Sequence, residues 1–421
     1  MRMIEKRSGI GAAVDVGSTT ISARLVDLAS GALLAERSAP NPTRIHGADV
    51  VRRLAAAALP EKSAEMARDL RVRIGLLVSE MAESEGCFPR ETIEMVAVGN
   101  SAMQALFWGL PAESLARAPF EPADTSPREA SCLELGMPGL PEASLYWPPL
   151  IGGYVGSDAL CALDAAMSDP SARLPLLLVD TGTNSEILLV MPGQIFCASA
   201  AAGPALEGGN LSCGMPAGKG AIHAFHLERD RLIPEVTGES MPLGICGSGI
   251  IDLVALLLQM GGIDASGTLC PAGSPPAIRE RCERRGRDKV FALFPGFHPL
   301  SQPDIRQVQL AKGAIAAAES LLLAEAGIQA SDLENVLLAG AFGTALNPEN
   351  AARIGLVPST RTPARGIGNA ALEGAELCLT APQAARQRHE RILERVTHVP
   401  LHADPRFQET FITSLSLEPW V

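Results

Sequence analysis

Apolar and β-branched side chains between residues 11 and 37 fall into three short stretches separated by glycine-containing turns. This pattern predicts strands at Ala12–Val16, Thr20–Leu28 and Ala32–Arg37, with a tight first turn at Gly17-Ser-Thr19. The opening of the chain is therefore predicted to be a three-stranded unit whose first turn is lined by small polar residues.

The same frame returns between residues 175 and 200. The sequence Asp180-Thr-Gly-Thr-Asn184 aligns with Asp15-Val-Gly-Ser-Thr19, an offset of 180 − 15 = 165 residues. The predicted strands of this second copy are Leu176–Val179, Glu186–Val190 and Gln194–Ala198. Because the turn motif and the strand frame repeat together, the pattern indicates an internal duplication.

Each half continues with amphipathic or small-residue helices around a further apolar strand, which predicts an α/β fold of two similar domains. The predicted helices cover 47–58, 62–84, 101–107, 156–167, 247–260, 304–326, 347–353 and 368–379. The domains are expected at 1–172 and 173–421. A proline-rich insertion is expected at 111–150 in the first domain and another insertion at 203–303 in the second, with 268–303 irregular.

The two repeated turns have the chemistry of phosphate-binding hairpins. Gly17 and Gly182 lack a Cβ, so backbone N–H groups can approach a phosphate closely. Asp15 and Asp180 are the predicted carboxylates for a Mg²⁺ ion, which prefers oxygen ligands and retains water. The predicted side-chain donors to phosphate oxygens are Ser18, Thr19, Thr20, Thr183 and Asn184.

Two further glycine-rich motifs are candidates for nucleotide contacts. Gly340-Ala341-Phe342-Gly343 follows a predicted strand, and its small residues would let an adenine or ribose lie against the backbone. Gly247, Ser248 and Gly249 open a predicted helix, whose amides could meet an anionic ligand. A purely structural cap is the equal alternative for this second motif.

Composition narrows the function classes. The 421 residues are 47% hydrophobic and 19% charged, and the net charge is −12. An acidic chain argues against general nucleic-acid binding, which requires a basic face. Without an uncharged apolar run of the roughly 18 residues that a membrane span needs and without an apolar signal core, the protein is expected in the cytoplasm, with its nine scattered cysteines reduced.

The motifs, taken in order, resemble the ATPase domain of the reductive activators of corrinoid proteins over about residues 9–419. The matching segments are Asp15-Val-Gly-Ser-Thr-Thr20, Asn41-Pro42, Val98-Gly-Asn-Ser-Ala-Met103, Asp180-Thr-Gly-Thr-Asn-Ser-Glu186, Ser199-Ala-Ala-Ala-Gly-Pro-Ala-Leu-Glu-Gly208, Gly244-Ile-Cys-Gly-Ser-Gly249, Val308-Gln-Leu-Ala-Lys312, Leu338-Ala-Gly-Ala-Phe-Gly343 and Gly368-Asn-Ala-Ala371.

This resemblance implies two ribonuclease-H-like domains of the actin, sugar-kinase and Hsp70 (ASKHA) superfamily, with a nucleotide cleft between them. It also implies Mg-ATP, slow ATP hydrolysis, and a corrinoid-protein partner whose cobalt is returned from Co(II) to Co(I). Ser199 is the expected partner-facing residue, Gly203 belongs to the nucleotide-linked loop, and Glu207 would orient a water. The alternative for this loop is that it only shapes the phosphate pocket.

Typical members of that family carry an iron–sulfur module with closely spaced cysteines. The sequence has no such cysteine set, so we expect no intrinsic iron–sulfur cluster and a separate ferredoxin or flavodoxin as electron donor. The sequence is also compatible with a homodimer.

Three other functions stay open. One is a small-molecule kinase on the same fold, and another is a non-enzymatic scaffold for a corrinoid methyltransferase. The third is an activator of a 2-hydroxyacyl-CoA dehydratase, in which Cys197 would be a candidate cluster ligand. The basic segment Arg279–Lys289 is either a solvated loop or a docking surface for an acidic partner.

Overall fold

We describe the fold from a computed structural model, which covers residues 9–47, 49–229, 231–238, 240–340 and 346–421. The chain forms two compact units. Unit 1 comprises the described residues up to Ala172 together with Asn369–His398, and unit 2 comprises Arg173–Gly368 and Val399–Val421. Each unit has its own hydrophobic core.

Unit 1 is built on a sheet with the strand order β3-β2-β1-β4-β6-β5. Its strands are β1 (Ile10–Val16), β2 (Thr20–Asp27), β3 (Leu33–Pro40), β4 (Thr92–Val98), β5 (Arg128–Ser131) and β6 (Ser144–Trp147). Its first helices are α1 (Val50–Ala57), α2 (Pro60–Ser84), α3 (Ser101–Trp108) and α4 (Ser157–Met167). Strands β1, β2 and β3 are antiparallel, whereas β4 runs parallel to β1.

Strand β1 is covered on both faces, which explains the apolar run from Ile10 to Val14 that precedes Asp15. Val14 and Val16 belong to the core that includes α2 and α3. Gly11, which points to the opposite face, lies against Leu379, so that an added Cβ would meet the leucine at 2.6 Å. The first phosphate hairpin therefore emerges from the most buried strand of the unit.

Unit 2 repeats this arrangement with the strand order β17-β16-β7-β8-β9. The central strands are β7 (Leu176–Asp180), β8 (Ser185–Val190) and β9 (Ile195–Ala200), and β16 (Asn335–Ala339) and β17 (Arg365–Gly368) follow later in the chain. Strands β7, β8 and β9 are antiparallel, and β16 is parallel to β7. The predicted duplication is thus visible as two sheets of matching topology.

The remaining elements of unit 2 lie between or after these strands. They are β10 (Ala221–Glu228), β11 (Arg231–Val236), β12 (Gly244–Ile245), α5 (Gly247–Gln259), α6 (Pro276–Arg279), β13 (Cys282–Arg285), β14 (Asp288–Phe291), β15 (Leu300–Ser301), α7 (Gln302–Ala326), α8 (Pro348–Arg353) and α11 (Phe407–Thr413). Unit 1 additionally contains α9 (Ala370–Thr380), α10 (Pro382–Leu393) and the short strand β18 (Val396–His398).

The two insertions are more ordered than the sequence predicted. Within 111–150, β5 and β6 extend the sheet of unit 1, and within 268–303, strands β13, β14 and β15 form a small antiparallel sheet. The expectation of an irregular 268–303 segment was wrong, because strands of two to four residues leave too short a pattern to recognise. The basic segment Arg279–Lys289 runs from the last residue of α6 through β13 to the start of β14.

The segment Asn369–His398 packs with unit 1, although the sequence placed it in the second domain. The reason is close helix packing. Helix α9 contacts β1, β4 and α4, and an added Cβ at Gly374 would lie only 2.0 Å from the carbonyl oxygen of Cys161.

Two of the nine cysteines differ from the expectation of reduced thiols. Cys270 and Cys282 are joined as a disulfide with their Cα atoms 6.4 Å apart, while the other seven cysteines are free. The bond links the segment before α6 to β13. Among the described residues, no helix combines the length and apolarity that a bilayer crossing requires.

Candidate functional site: two phosphate-type hairpins

The turn between β1 and β2 is shaped by the absence of a side chain at Gly17. A Cβ at this position would lie 2.6 Å from the carbonyl oxygen of Thr20, so no other residue fits without moving the backbone. The predicted donors Ser18, Thr19 and Thr20 follow directly in the turn and at the start of β2. The tight bend therefore keeps these three residues close to Gly17 at the end of β1.

Two buried polar side chains hold this turn by its carbonyl oxygens. Asn41 donates its side-chain amide to the carbonyl oxygen of Gly17 over 2.8 Å. Arg53, which is 2% exposed, donates to the carbonyl oxygens of Ser18 and Gly47. Sequence reasoning did not assign these two braces, although Asn41 lay in a matching motif.

Asp15 lies at the end of β1, and the side-chain amide of Asn369 donates to its Oδ2 over 2.9 Å. Burial raises the pKa of Asp15 from 3.8 to about 6, and the hydrogen bond from Asn369 lowers it by a smaller amount. Among the described residues, the side chain that lowers the pKa of Asp15 is a neutral amide. A divalent cation near this carboxylate would therefore stabilise its charged form.

The β7–β8 turn of unit 2 repeats the geometry with a different brace. A Cβ at Gly182 would lie 2.9 Å from the carbonyl oxygen of Asn184. The Thr183 N–H donates to Oε1 of Glu207 over 2.9 Å, and Gly203 N–H donates to the Thr183 carbonyl over 2.8 Å. The structure thus brings Glu207 and Gly203 onto the second hairpin.

Gly340 lies beside the same hairpin. It has φ +100°, and an added Cβ would meet the Thr181 carbonyl oxygen at 2.6 Å and the Asp180 carboxylate at 2.8 Å. The start of the predicted adenosine motif is therefore in direct contact with the candidate metal carboxylate. The rest of that motif, Ala341, Phe342 and Gly343, lies outside the described residues.

The helix-opening motif of α5 is tightly packed. Ser248 donates its hydroxyl to the His223 carbonyl over 2.6 Å, and a Cβ at Gly249 would lie 2.4 Å from the Ile222 carbonyl oxygen. Helix α5, which begins at Gly247, contacts the turn 204–207 that carries Glu207. These contacts give the motif a structural role, and its predicted nucleotide contact stays a prediction.

Ser199 and Cys197 lie on β9, next to the hairpin strand β8. The Ser199 hydroxyl is 3.4 Å from Oε1 of Glu186, a residue of the repeated motif. Cys197 is fully buried, and burial raises the pKa of its thiol to about 12. A fully buried thiol does not reach the subunit surface where a cluster that bridges two subunits would lie.

The described geometry leaves two half-sites with the donor types that bind phosphate and Mg²⁺. Asp15 and the first hairpin belong to unit 1. Asp180, the second hairpin, Glu207 and Gly340 belong to unit 2. In each half-site a carboxylate stands at the strand end, and a glycine whose Cβ would clash forms the turn.

Family models match nearly the whole chain. The C-terminal domain of RACo, described as the ASKHA domain, matches residues 175–419, and the RACo middle region matches residues 10–168. The chain belongs to the RACo family. The sequence-based resemblance and the predicted ASKHA fold are both confirmed.

Two curated relatives carry names that describe corrinoid activation. The "corrinoid activation enzyme RamQ" of Eubacterium limosum is 33% identical over 414 residues, which cover 96% of this chain and 69% of the relative. The "[Co(II) methylated amine-specific corrinoid protein] reductase" of Methanosarcina barkeri is 32% identical over 258 residues, which cover 55% of this chain and 44% of that relative.

A solved structure agrees with the fold. It is described as a "reductive activator for corrinoid, iron-sulfur protein" and superimposes with a TM-score of 0.85 at 27% identity. The match covers 99% of this chain and 67% of that one. The chain therefore spans about two thirds of the length of that solved protein.

Proposed function

We propose that this protein is an ATP-dependent activator that helps to return the cobalt of a partner corrinoid protein from Co(II) to Co(I). One observation carries the proposal: a RACo-family chain has two hairpins of phosphate-binding type, each with a carboxylate at its strand end. The names of both curated relatives support the same activity.

The residues present fit Mg-ATP. The carboxylates of Asp15 and Asp180 would hold Mg²⁺ directly or through water, and the amides around Gly17 and Gly182 would receive phosphate oxygens. The backbone at Gly340 would lie against the adenosine. When bound, the nucleotide supplies the free energy that favours one conformation of the protein over another.

Glu207 connects the second hairpin to the segment that follows Ser199 and the end of β9. Its carboxylate accepts the Thr183 N–H, the type of backbone donor that a phosphate oxygen would need. Phosphate binding would therefore compete with Glu207 and free the turn 204–207. We propose this exchange as the switch that changes the conformation of residues 199–208 toward the partner, with Ser199 as the partner-facing hydroxyl.

Several finer properties belong to the same proposal. The electron would come from a separate ferredoxin or flavodoxin, and ATP hydrolysis would be slow because the nucleotide serves conformational change. The protein would act in the cytoplasm, and a homodimer is compatible with this role. The burial of Cys197 argues against the alternative in which this residue binds a bridging iron–sulfur cluster.

One assay tests the function. The protein is mixed anaerobically with a Co(II) corrinoid protein, a low-potential reductant and Mg-ATP, and the Co(I) absorption band is followed. We expect that Co(I) forms only when ATP is present. The assay is run with and without an added ferredoxin. A complex that forms without any ATP-dependent rise in Co(I) would instead identify a scaffold.

A parallel measurement separates the kinase alternative. ATP turnover is recorded with a panel of sugars and organic acids and, separately, with the corrinoid protein. We expect stimulation only by the corrinoid protein. Stoichiometric phosphorylation of a small molecule would overturn the activator proposal.

A further inference from the structure

A buried cluster of metal-type ligands lies inside unit 1, away from the hairpin turn. Cys161 is on α4, Cys378 is on α9 and His389 is on α10. Their side chains are at most 2% exposed. Three separate helices thus contribute one ligand-type atom each to a single interior point.

The distances between these atoms fit one shared ion. The two Sγ atoms are 3.8 Å apart, and Nε2 of His389 lies 4.0 Å from Sγ of Cys161 and 3.9 Å from Sγ of Cys378. Tetrahedral zinc with Zn–S bonds of about 2.3 Å and Zn–N bonds of about 2.0 Å implies S–S separations of about 3.8 Å and S–N separations of about 3.6 Å. A contraction of a few tenths of an ångström would complete the coordination.

The imidazole is oriented for this role. All of its described polar contacts use Nε2, the nitrogen that faces the two sulfur atoms, and Nδ1 is buried without a hydrogen-bond partner among the described residues. Nε2 also lies 3.4 Å from Oδ2 of Asp164. Both oxygens of this carboxylate accept from Arg388, so Asp164 would complete the coordination through a bridging water.

The charges also balance with a divalent ion. Asp164 is held by the guanidinium of Arg388, whose Nη2 donates to Oδ2 over 2.8 Å. Two thiolates and Asp164 would carry three negative charges, and Arg388 with a divalent cation would carry three positive charges. The charges of these groups would cancel, which limits the free-energy cost of placing them in the interior; Asp158, which also acts on Cys161, lies outside this sum.

We propose that Cys161, Cys378 and His389 bind one zinc ion that ties α4, α9 and α10 together. Two thiolates and an imidazole select a thiophilic ion over Mg²⁺ or Ca²⁺. The site is structural, because its ligands are buried. It has a consequence for the hairpin, since α9 begins after Asn369, whose amide binds Asp15. The proposal is independent of the corrinoid function.

The first test is the metal content of the full chain, purified under reducing conditions without chelators. We expect about one zinc per chain in the wild type and less than a tenth of that in Cys161→Ser and Cys378→Ser. Cys132→Ser is the matched control, because Cys132 is also a free, fully buried thiol of unit 1. This variant should keep its zinc.

The second test does not depend on whether a variant folds. Zinc is removed from the wild-type protein with a chelator, and Co²⁺ is added as a spectroscopic probe. We expect a thiolate-to-cobalt charge-transfer band that saturates at one Co²⁺ per chain and disappears when Zn²⁺ is added. Re-addition of zinc at a hundredfold excess over its dissociation constant should raise the melting temperature by about 5–10 °C.

The proposal is overturned if the purified protein is metal-free and Co²⁺ produces no such band. It is also overturned if the band has equal intensity in both cysteine variants. Isolation of a Cys161–Cys378 disulfide from freshly reduced protein that then fails to take up zinc would make the cluster a redox pair instead.

Discussion

The two hairpins have the same backbone frame and both are held at carbonyl oxygens, but in the second a carboxylate also accepts an amide of the turn. In unit 1, Asn41 and Arg53 donate to carbonyl oxygens of Gly17 and Ser18. In unit 2, the carboxylate of Glu207 accepts the N–H of Thr183. Braces on carbonyl groups hold the first turn without using its amides, whereas the second turn already binds an anionic group.

This difference suggests a division of labour between the copies. On the proposed function, the first hairpin would be a fixed phosphate cradle whose carboxylate accepts from Asn369. In the second, Glu207 accepts the amide that a phosphate would need, so we propose that ligand binding there is accompanied by movement of the turn 204–207. The predictions that follow test this asymmetry.

The largest effect is expected from neutralising the strand-end carboxylates. Asp15→Asn and Asp180→Asn should each weaken Mg-ATP binding by on the order of 100-fold, because the Mg²⁺ loses a carboxylate. The melting temperature of Asp15→Asn should be at least that of the wild type, because burial disfavours the charge that the substitution removes. Calorimetric titration and thermal unfolding measure these values. Asp288→Asn on the exposed β13–β14 hairpin is the control, and wild-type affinity in Asp15→Asn would refute the assignment.

Adding a single methyl group to each turn compares the two cradles sterically. Gly17→Ala should destabilise the protein by about 1–3 kcal/mol, because the new Cβ would lie 2.6 Å from the facing carbonyl oxygen. Gly182→Ala should destabilise it less, because there the corresponding distance is 2.9 Å. Both variants should bind ATP more weakly. The control is Gly193→Ala in the β8–β9 turn, where no atom lies within 4 Å of the added Cβ. Denaturant unfolding ranks the three, and equal stability of all three would contradict the close-turn geometry.

Glu207 tests the asymmetry itself. Glu207→Ala removes the acceptor that competes with phosphate at the Thr183 N–H, so ATP affinity should rise about fivefold, the equivalent of about 1 kcal/mol. Glu207→Gln retains an acceptor oxygen at the same distance and should change affinity less. Fluorescent-nucleotide titration distinguishes the variants. If Glu207→Ala binds ATP more weakly, Glu207 is a ligand-binding residue rather than a competitor.

The raised pKa of Asp15 makes nucleotide binding sensitive to pH. Metal binding requires the carboxylate, so Mg-ATP affinity should be constant well above pH 6 and fall by up to about tenfold per unit below it. The direction follows from a pKa of about 6 in the folded protein. The same titration of Asp15→Asn shows how much of the slope comes from the nucleotide alone. Identical slopes in both proteins would exclude Asp15 as the titrating group.

A smaller effect is expected from Asn369. Asn369→Ser should raise the midpoint of this pH profile by at most about one unit, because the amide that lowers the pKa of Asp15 is lost. Serine retains the N-cap of α9, where Asn369 accepts from Leu372 N–H over 2.9 Å. A midpoint that is unchanged or shifted to lower pH would show that this hydrogen bond does not lower the pKa of Asp15.

Much of the fold was readable from the sequence. Strands β1, β2, β7 and β8 were predicted to within two residues of their observed bounds, because apolar periodicity and glycine turns act locally. Helices α10 and α11 were not predicted. Helix α10 is strongly polar and helix α11 has only seven residues, so neither has a long apolar stripe to recognise.

In the candidate site, too, local motifs were predictable from the sequence and long-range contacts were not. Asp15, Gly17, Asp180 and Gly182 were identified from short motifs, because a tight phosphate turn needs these residue types at fixed spacing. The contact of Asn369 with Asp15 joins residues 354 positions apart. Its motif was noticed, but nothing local shows which carboxylate an amide at that position reaches.

By itself, the sequence determined the family, the repeated hairpins and the residue types that would meet a phosphate. Only the tertiary structure decided that α9 belongs to unit 1, that Glu207 accepts an amide of the second hairpin, and that Cys161, Cys378 and His389 meet at one point. The physical reason is that turns and strands follow from neighbouring residues, whereas these contacts depend on how helices distant in the chain pack onto a shared core.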